Sequence, residues 1–273
     1  MRFATGGRTL ERLAGAGGGV RDGGGGGGGG REPRPPSHWP TIRSGFDPWR
    51  GGDEVADQEW LRSPAASLVR EGLQQALLFP VARMIARPEV FGAEDLMHVP
   101  QPAVIAPNHS SDIDTPLILA GLPRSWRKRT VVGAASDRFY RRRVYAISSG
   151  LWINTFPFGR GSDLRGLADA AELLRAGHNV LLYPQATRST AGQIEGFRAG
   201  VARLCLATGA PLLPVHVSGT ALIMPASRGL TQRGRATVRF GRPLSALPGE
   251  SADELMVRAR AAITELGAHR PRG

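Results

Sequence analysis

From Pro64 onward the chain carries apolar positions at helical spacing. Val69, Leu73, Leu77, Val81, Met84 and Ile85 recur, with Arg70, Glu71, Gln74, Gln75, Arg83 and Arg87 between them. That period predicts an amphipathic helix, kinked near Pro80, whose ring removes a backbone donor. The apolar stripe has two possible uses. It can pack on a core, or it can lie in a membrane interface with Leu77, Leu78 and Phe79 in lipid.

After Pro88 the pattern alternates between short apolar runs and helical periods. Residues 90–92, 103–106, 130–134, 179–183, 212–217 and 236–240 read as strands, with Pro214 marking an irregularity. Residues 116–122 read as a helix, with Asp114 or Thr115 as cap and Pro116 at its first position. Further helices are expected over 138–149, 163–176, 197–208 and 251–266, with Gly177 and Gly209 as C-terminal stops. Strands separated by helices predict an α/β fold: a mostly parallel sheet flanked by helices, preceded by the amphipathic helix.

Residues 1–62 break this pattern. Gly23 to Gly30 is an unbroken glycine run, followed by Arg31-Glu32-Pro33-Arg34-Pro35-Pro36. Such a Gly/Pro/Arg-rich segment cannot bury enough apolar surface to offset its chain entropy. It is expected to be a disordered leader and linker, or in part to lie upstream of the true start codon. The folded domain is expected over 63–270.

Charge narrows the partners. The chain has 35 Lys and Arg against 23 Asp and Glu, a net charge of +12, and Lys128 is its one lysine. A basic surface attracts nucleic acid, anionic lipid or phosphorylated small molecules. Zinc-finger spacing and an aromatic RNA-binding signature are both absent, so nucleic acid is not an expected partner. The basic run Arg127, Lys128, Arg129, Arg138, Arg141, Arg142 and Arg143 is either a solvated face or a seat for coenzyme A phosphates, an acidic carrier protein or anionic lipid. Cys205 is the only cysteine, which excludes an intramolecular disulfide and a cysteine-based metal cluster. Its apolar helical setting argues against a nucleophile. No run approaches the roughly 18 apolar residues of a membrane span, and no apolar signal region follows the N-terminal arginines. The protein is expected to be soluble or to rest on a membrane surface.

The chemistry begins at Asn108-His109-Ser110-Ser111-Asp112-Ile113-Asp114. A histidine can take a proton from a hydroxyl near neutral pH, and a nearby carboxylate can fix its tautomer and stabilise the imidazolium. Asp112 and Asp114 compete for that role. Three further stations follow in order: Asn154-Thr155-Phe156-Pro157-Phe158-Gly159-Arg160, Tyr183-Pro184-Gln185-Ala186-Thr187-Arg188-Ser189, and Leu212-Leu213-Pro214-Val215-His216-Val217.

Together the four stations resemble the PlsC-type glycerolipid acyltransferases, the lysophosphatidic acid acyltransferase superfamily. That family shows N-H-x-x-x-x-D, an arginine after an apolar stretch, F-P-E-G-T-R-S, and an apolar segment with a central proline. The likeness runs over roughly residues 88–245. It implies a glycerolipid-acyltransferase-like fold and an O-acyltransferase of the 1-acylglycerol-3-phosphate type. A fatty acyl group would pass from acyl-CoA or acyl carrier protein to a lysophospholipid hydroxyl. By the same resemblance His109 is the general base and Asp114, favoured over Asp112, orients it. Arg160 and Arg188 bind the acceptor phosphate, as planar guanidinium forks suit phosphate oxygens. Gln185, Thr187 and Ser189 join them, and Pro214 with Val215 lines the acyl region. The implied transfer is direct, with no metal and no bound cofactor; the thioester is a co-substrate, and backbone N–H groups are the expected oxyanion donors. The implied partners are a lipid acceptor, an acyl donor, in one case an acyl carrier protein, and the membrane surface, at the cytoplasmic inner face of the cell membrane.

One departure stands out. Gln185-Ala186 replaces the family's Glu-Gly. Gln keeps the shape and an acceptor oxygen but loses the charge. That opens the acceptor to other lysolipids. It also motivates an alternative, a non-catalytic lipid-binding member of the same fold.

Overall fold

The computed structural model describes residues 59–136, 140, 143–159, 164–185, 197–225 and 232–268. The glycine-rich leader over 1–58, and the candidate residues Arg160, Thr187, Arg188 and Ser189, lie outside the described residues.

The described strands form one sheet: β1 (Pro88–Phe91), β2 (Val104–Pro107), β3 (Thr130–Ala135), β4 (Thr155–Phe158), β5 (Asn179–Leu181), β6 (Leu212–Ser218) and β7 (Ala236–Phe240). Their spatial order is β1-β7-β6-β2-β5-β3-β4. Every pairing is parallel except β6 with β7. The helices are α1 (Pro64–Leu73), α2 (Phe79–Ala86), α3 (Asp114–Gly121), α4 (Arg124–Arg129), α5 (Arg143–Ile153), α6 (Leu164–Arg175), α7 (Gly200–Thr208), α8 (Thr220–Ile223) and α9 (Ala252–Ala268).

Both faces of the sheet are covered, so its central strands are apolar throughout rather than alternating. Ile105, Leu181 and Leu213 face one core with Phe79, Leu117, Ile118 and Trp126. Val104, Val180 and Leu212 face the other with Leu174, Ala202, Cys205 and Leu255. Gly209 closes α7 at φ 71° and Gly177 follows α6 at φ 86°, left-handed positions that glycine takes without a Cβ penalty.

The start of one predicted helix is corrected. Helix α3 starts at Asp114 with Ile113 as its N-cap, so Asp114 is a helical residue rather than a cap. Helix α4, which carries no sequence-level period, covers Arg124–Arg129; α5 covers Arg143–Ile153, overlapping the helix expected over 138–149, and Arg138, Arg141 and Arg142 lie outside the described residues.

The segment 64–86 is helical as predicted, and the disturbance near Pro80 is a π turn over Gln74–Leu78. Proline cannot donate to the preceding turn and its ring crowds the carbonyl there; widening the turn relieves both. The facing is mixed: part of the apolar set packs on the core and part faces outward. Leu68, Val69, Leu77, Val81 and Met84 are exposed, while Ala66, Arg70, Gln74, Phe79, Ala82 and Ala86 are buried. Phe79 therefore belongs to the core and not to a lipid-facing tip, and Leu78 packs beside it. Buried Arg70 donates to the carbonyls of Gly150, at 3.0 Å, and Leu61. Gln74 donates to the Trp152 carbonyl at 2.9 Å. Burial, with Arg62 nearby, lowers the Arg70 pKa to about 10, which leaves it charged at neutral pH.

Candidate active site

The parallel strands β2, β5 and β6 end at one edge of the sheet, where α/β proteins place their ligands. His109 follows β2. Tyr183 and Gln185 follow β5, and Thr220 follows β6.

Asn108 anchors the turn after β2. Its side chain donates to the Val217 carbonyl at 2.9 Å and accepts from the Val217 N–H at 2.7 Å, extending the ladder between β2 and β6 by one side chain. The chain then bends so that His109 Nδ1 lies 3.0 Å from Asp114 Oδ2. The same oxygen accepts the N–H groups of Ser110 and Ser111, each at 2.8 Å. Asp114 is fully buried; the His109 side chain keeps 20% of its surface exposed. Backbone donors at the start of α3 thus hold a buried carboxylate against the ring. With Nδ1–H donating to Asp114, the lone pair sits on Nε2, ready to accept a proton. Asp112, the rival carboxylate, is exposed.

The surroundings fix this pair. Ser110 Oγ meets Thr220 Oγ1 at 3.1 Å, and Ser111 Oγ donates to the Met224 carbonyl at 2.7 Å. Tyr183 stacks on the imidazole with ring centroids 3.9 Å apart and planes at 28°. Its hydroxyl pairs with Thr115 Oγ1 at 2.6 Å. Burial pushes the Tyr183 phenol well above its ordinary range, with Asp114 and Asp112 adding to the effect, so it stays neutral and is no proton donor at working pH. Gln185 is buried and its Oε1 accepts the His109 N–H at 2.7 Å.

The N–H groups of this turn are therefore committed. Asn108 N–H bonds to the Val215 carbonyl, His109 N–H to Gln185, and Ser110 and Ser111 N–H to Asp114. An oxyanion beside His109 must draw its donors from elsewhere.

The structure brings together His109, Asp114 and Gln185. Pro214 is a buried residue of the neighbouring strand β6, in register with Ala106, and its carbonyl accepts from Gly241 at 2.9 Å. Sequence reasoning gave no role to Asn108, Ser110, Ser111 or Tyr183. Asn108 and Tyr183 sit directly inside their motifs, and an amide beside the candidate histidine and an aromatic at a strand exit were the available signals. Burial pushes the Cys205 thiol up to about 12, which removes it as a nucleophile. Among the described residues no group of three His, Cys, Asp or Glu side chains converges to hold a metal.

A mostly parallel sheet that holds a partly exposed histidine against a buried aspartate at its carboxyl edge is a candidate general-base site. Residues 87–218 match the protein family described as Acyltransferase. The chain is 29% identical over 182 residues to a chloroplastic 1-acyl-sn-glycerol-3-phosphate acyltransferase of Arabidopsis thaliana, covering 64% of this chain and 47% of that protein. It is 28% identical over 185 residues to one of Brassica napus, covering 65% and 50%. It spans about half the length of these curated relatives. The crystal structure of the 1-acyl-sn-glycerophosphate acyltransferase PlsC from Thermotoga maritima shares its fold, with a TM-score of 0.59 and 20% identity over 80% of this chain and 85% of that one. In sequence over residues 87–218 and in fold, the chain is similar to the PlsC-type glycerolipid acyltransferases.

Proposed function

We propose that this protein is an O-acyltransferase that moves a fatty acyl group from a thioester to the free hydroxyl of a 1-acylglycerol-3-phosphate-like lysophospholipid. The carrying observation is the His109–Asp114 pair at 3.0 Å, with Asp114 buried and its Oδ2 held by two backbone N–H groups. His109 Nε2 takes the hydroxyl proton as the oxygen attacks the thioester carbon. The C–S bond breaks, and the departing thiolate takes the proton back from the imidazolium, giving an ester and a free thiol. The acceptor is the nucleophile, so no acyl-enzyme forms. Arg160 and Arg188 bind the acceptor phosphate, with Thr187 and Ser189 beside them, in line with the family pattern. No metal or resident cofactor takes part; acyl-CoA or acyl carrier protein arrives as co-substrate.

The protein works at a membrane surface. No helix among the described residues is long and apolar enough to cross a membrane. The support is instead the helical segment 64–86, which Arg70, Gln74 and Phe79 tie to the protein while Leu68, Val69, Leu77, Val81 and Met84 face outward. Acyl-CoA and acyl carrier protein are water-soluble donors, and on this reading the site faces them from the cytoplasmic inner face of the cell membrane.

The test is thiol release from acyl-CoA, or from acyl carrier protein, with a 1-acylglycerol-3-phosphate acceptor. His109→Ala should abolish it with an unchanged melting curve. Wild-type rates in that variant would sink the mechanism. The purely lipid-binding alternative predicts vesicle binding without turnover by the wild type, and the complete dyad argues against it.

A further inference from the structure

The segment leaving β5 holds His109 at two places at once. Tyr183 covers one face of the imidazole, and its hydroxyl bond to Thr115 keeps the phenol ring from swinging away. Two residues on, Gln185 accepts the His109 backbone N–H at 2.7 Å. Gln185 is itself buried and sits in an antiparallel bridge with Phe197. One grip sets the ring plane, the other the backbone from which the ring projects.

We propose that Tyr183 and Gln185 are positioning residues for the His109 base, and that Gln185 acts on the reaction through the His109 backbone rather than through the lipid acceptor. This rests on the acyl-transfer reading above. The bond to His109 needs only an oxygen at position 185. A glutamine supplies one as well as a glutamate does. The Gln185 departure from the family pattern then changes charge beside the base and leaves the grip on His109 intact. The electron-rich face of Tyr183 also favours the imidazolium formed during transfer. Asp114 and Asp112 are the charged groups that act on Tyr183. A base displaced by about 1 Å loses near-attack geometry, which appears in kcat rather than in acceptor affinity.

The experiment uses the full chain, acyl-CoA and 1-acylglycerol-3-phosphate, with kcat and both KM values read from thiol release. Gln185→Met keeps length and removes the oxygen; kcat should fall about 10- to 100-fold with the acceptor KM within about twofold of wild type. Gln185→Glu restores the oxygen and should recover kcat to within about threefold. Tyr183→Leu should lower kcat in the same way, and Tyr183→Phe, which loses only the Thr115 bond, should lower it less. A raised acceptor KM with unchanged kcat in Gln185→Met would assign Gln185 to the acceptor and overturn the proposal, as would wild-type kinetics. Should Gln185→Met fail to fold, Gln185→Glu decides: retained kcat and KM support the positioning role, and a raised acceptor KM overturns it. If the wild type and His109→Ala release thiol equally, the acyl-transfer reading itself fails, an outcome separate from any Gln185 result.

Discussion

Replacing Asp114 with Asn removes one charge and keeps the side chain's shape. Asp114 Oδ2 accepts from His109 Nδ1 at 3.0 Å and from the Ser110 and Ser111 N–H groups at 2.8 Å. An amide oxygen can keep the two backbone bonds, so the turn stays folded. What disappears is the negative charge facing the imidazolium in the transition state. At 3.0 Å and an effective dielectric of about 20, that attraction is worth about 5 kcal/mol. Each 1.36 kcal/mol is tenfold in rate, so kcat should fall by about three to four powers of ten. Asp114 Oδ1 is also buried, and an NH2 in its place needs an acceptor; a buried donor left unpaired costs about 1–3 kcal/mol. The melting temperature of Asp114→Asn should drop by about 5 °C, not collapse. The assay pairs single-turnover transfer with a thermal melt on the same preparation. A folded variant whose kcat lies within tenfold of wild type would show that the carboxylate does not stabilise the imidazolium, and would remove Asp114 from the mechanism.

Two further predictions concern the helical segment 64–86. Leu68, Leu77 and Met84 are 65%, 51% and 52% exposed; changing all three to Ser should release the protein from anionic phospholipid vesicles in a sedimentation assay, each residue losing about 1.5 kcal/mol or more of burial. Equal sedimentation would refute a membrane role for that face. Arg124, with Lys128, holds the Glu71 carboxyl down to about 2 from its ordinary 4.5. A depressed carboxylate stabilises fully above its unfolded pKa and loses that contribution as pH falls toward its folded one. The melting-temperature gap between wild type and Glu71→Gln should therefore be complete at neutral pH and shrink below pH about 4.5. Arg124 is mostly solvent-exposed, so the gap should also be small and salt-sensitive. A gap constant down to the acid limit of folding would refute the assignment.

Six of the seven described strands were legible because both faces of the sheet are buried; β4, Thr155–Phe158, read only as a motif. Strands such as Val104–Pro107 and Leu212–Ser218 are apolar runs bounded by turn residues, and that signal survives without partners. The β6–β7 reversal was not legible, because antiparallel and parallel central strands carry the same apolar run. The helix over 64–86 was legible as a helix but not in its facing. Arg70 and Gln74 are polar letters in the sequence, and only the distant carbonyls of Gly150 and Trp152 make them fit for burial. The short helices α4 and α8 lack the length to show a period.

By itself, the sequence pointed to His109 and Asp114 as the candidate pair. His109 and Asp114 stand on one turn and the start of one helix, so local geometry alone can close the 3.0 Å contact. Only the tertiary structure decided what holds that pair still. Tyr183 and Gln185 lie more than 70 residues along the chain, and the parallel pairing of β2 with β5 carries them to His109. A contact between strand ends depends on sheet order, which no local pattern encodes. For the same reason Gln185 reads from sequence as a substrate ligand, and in the fold it is an acceptor for a backbone N–H.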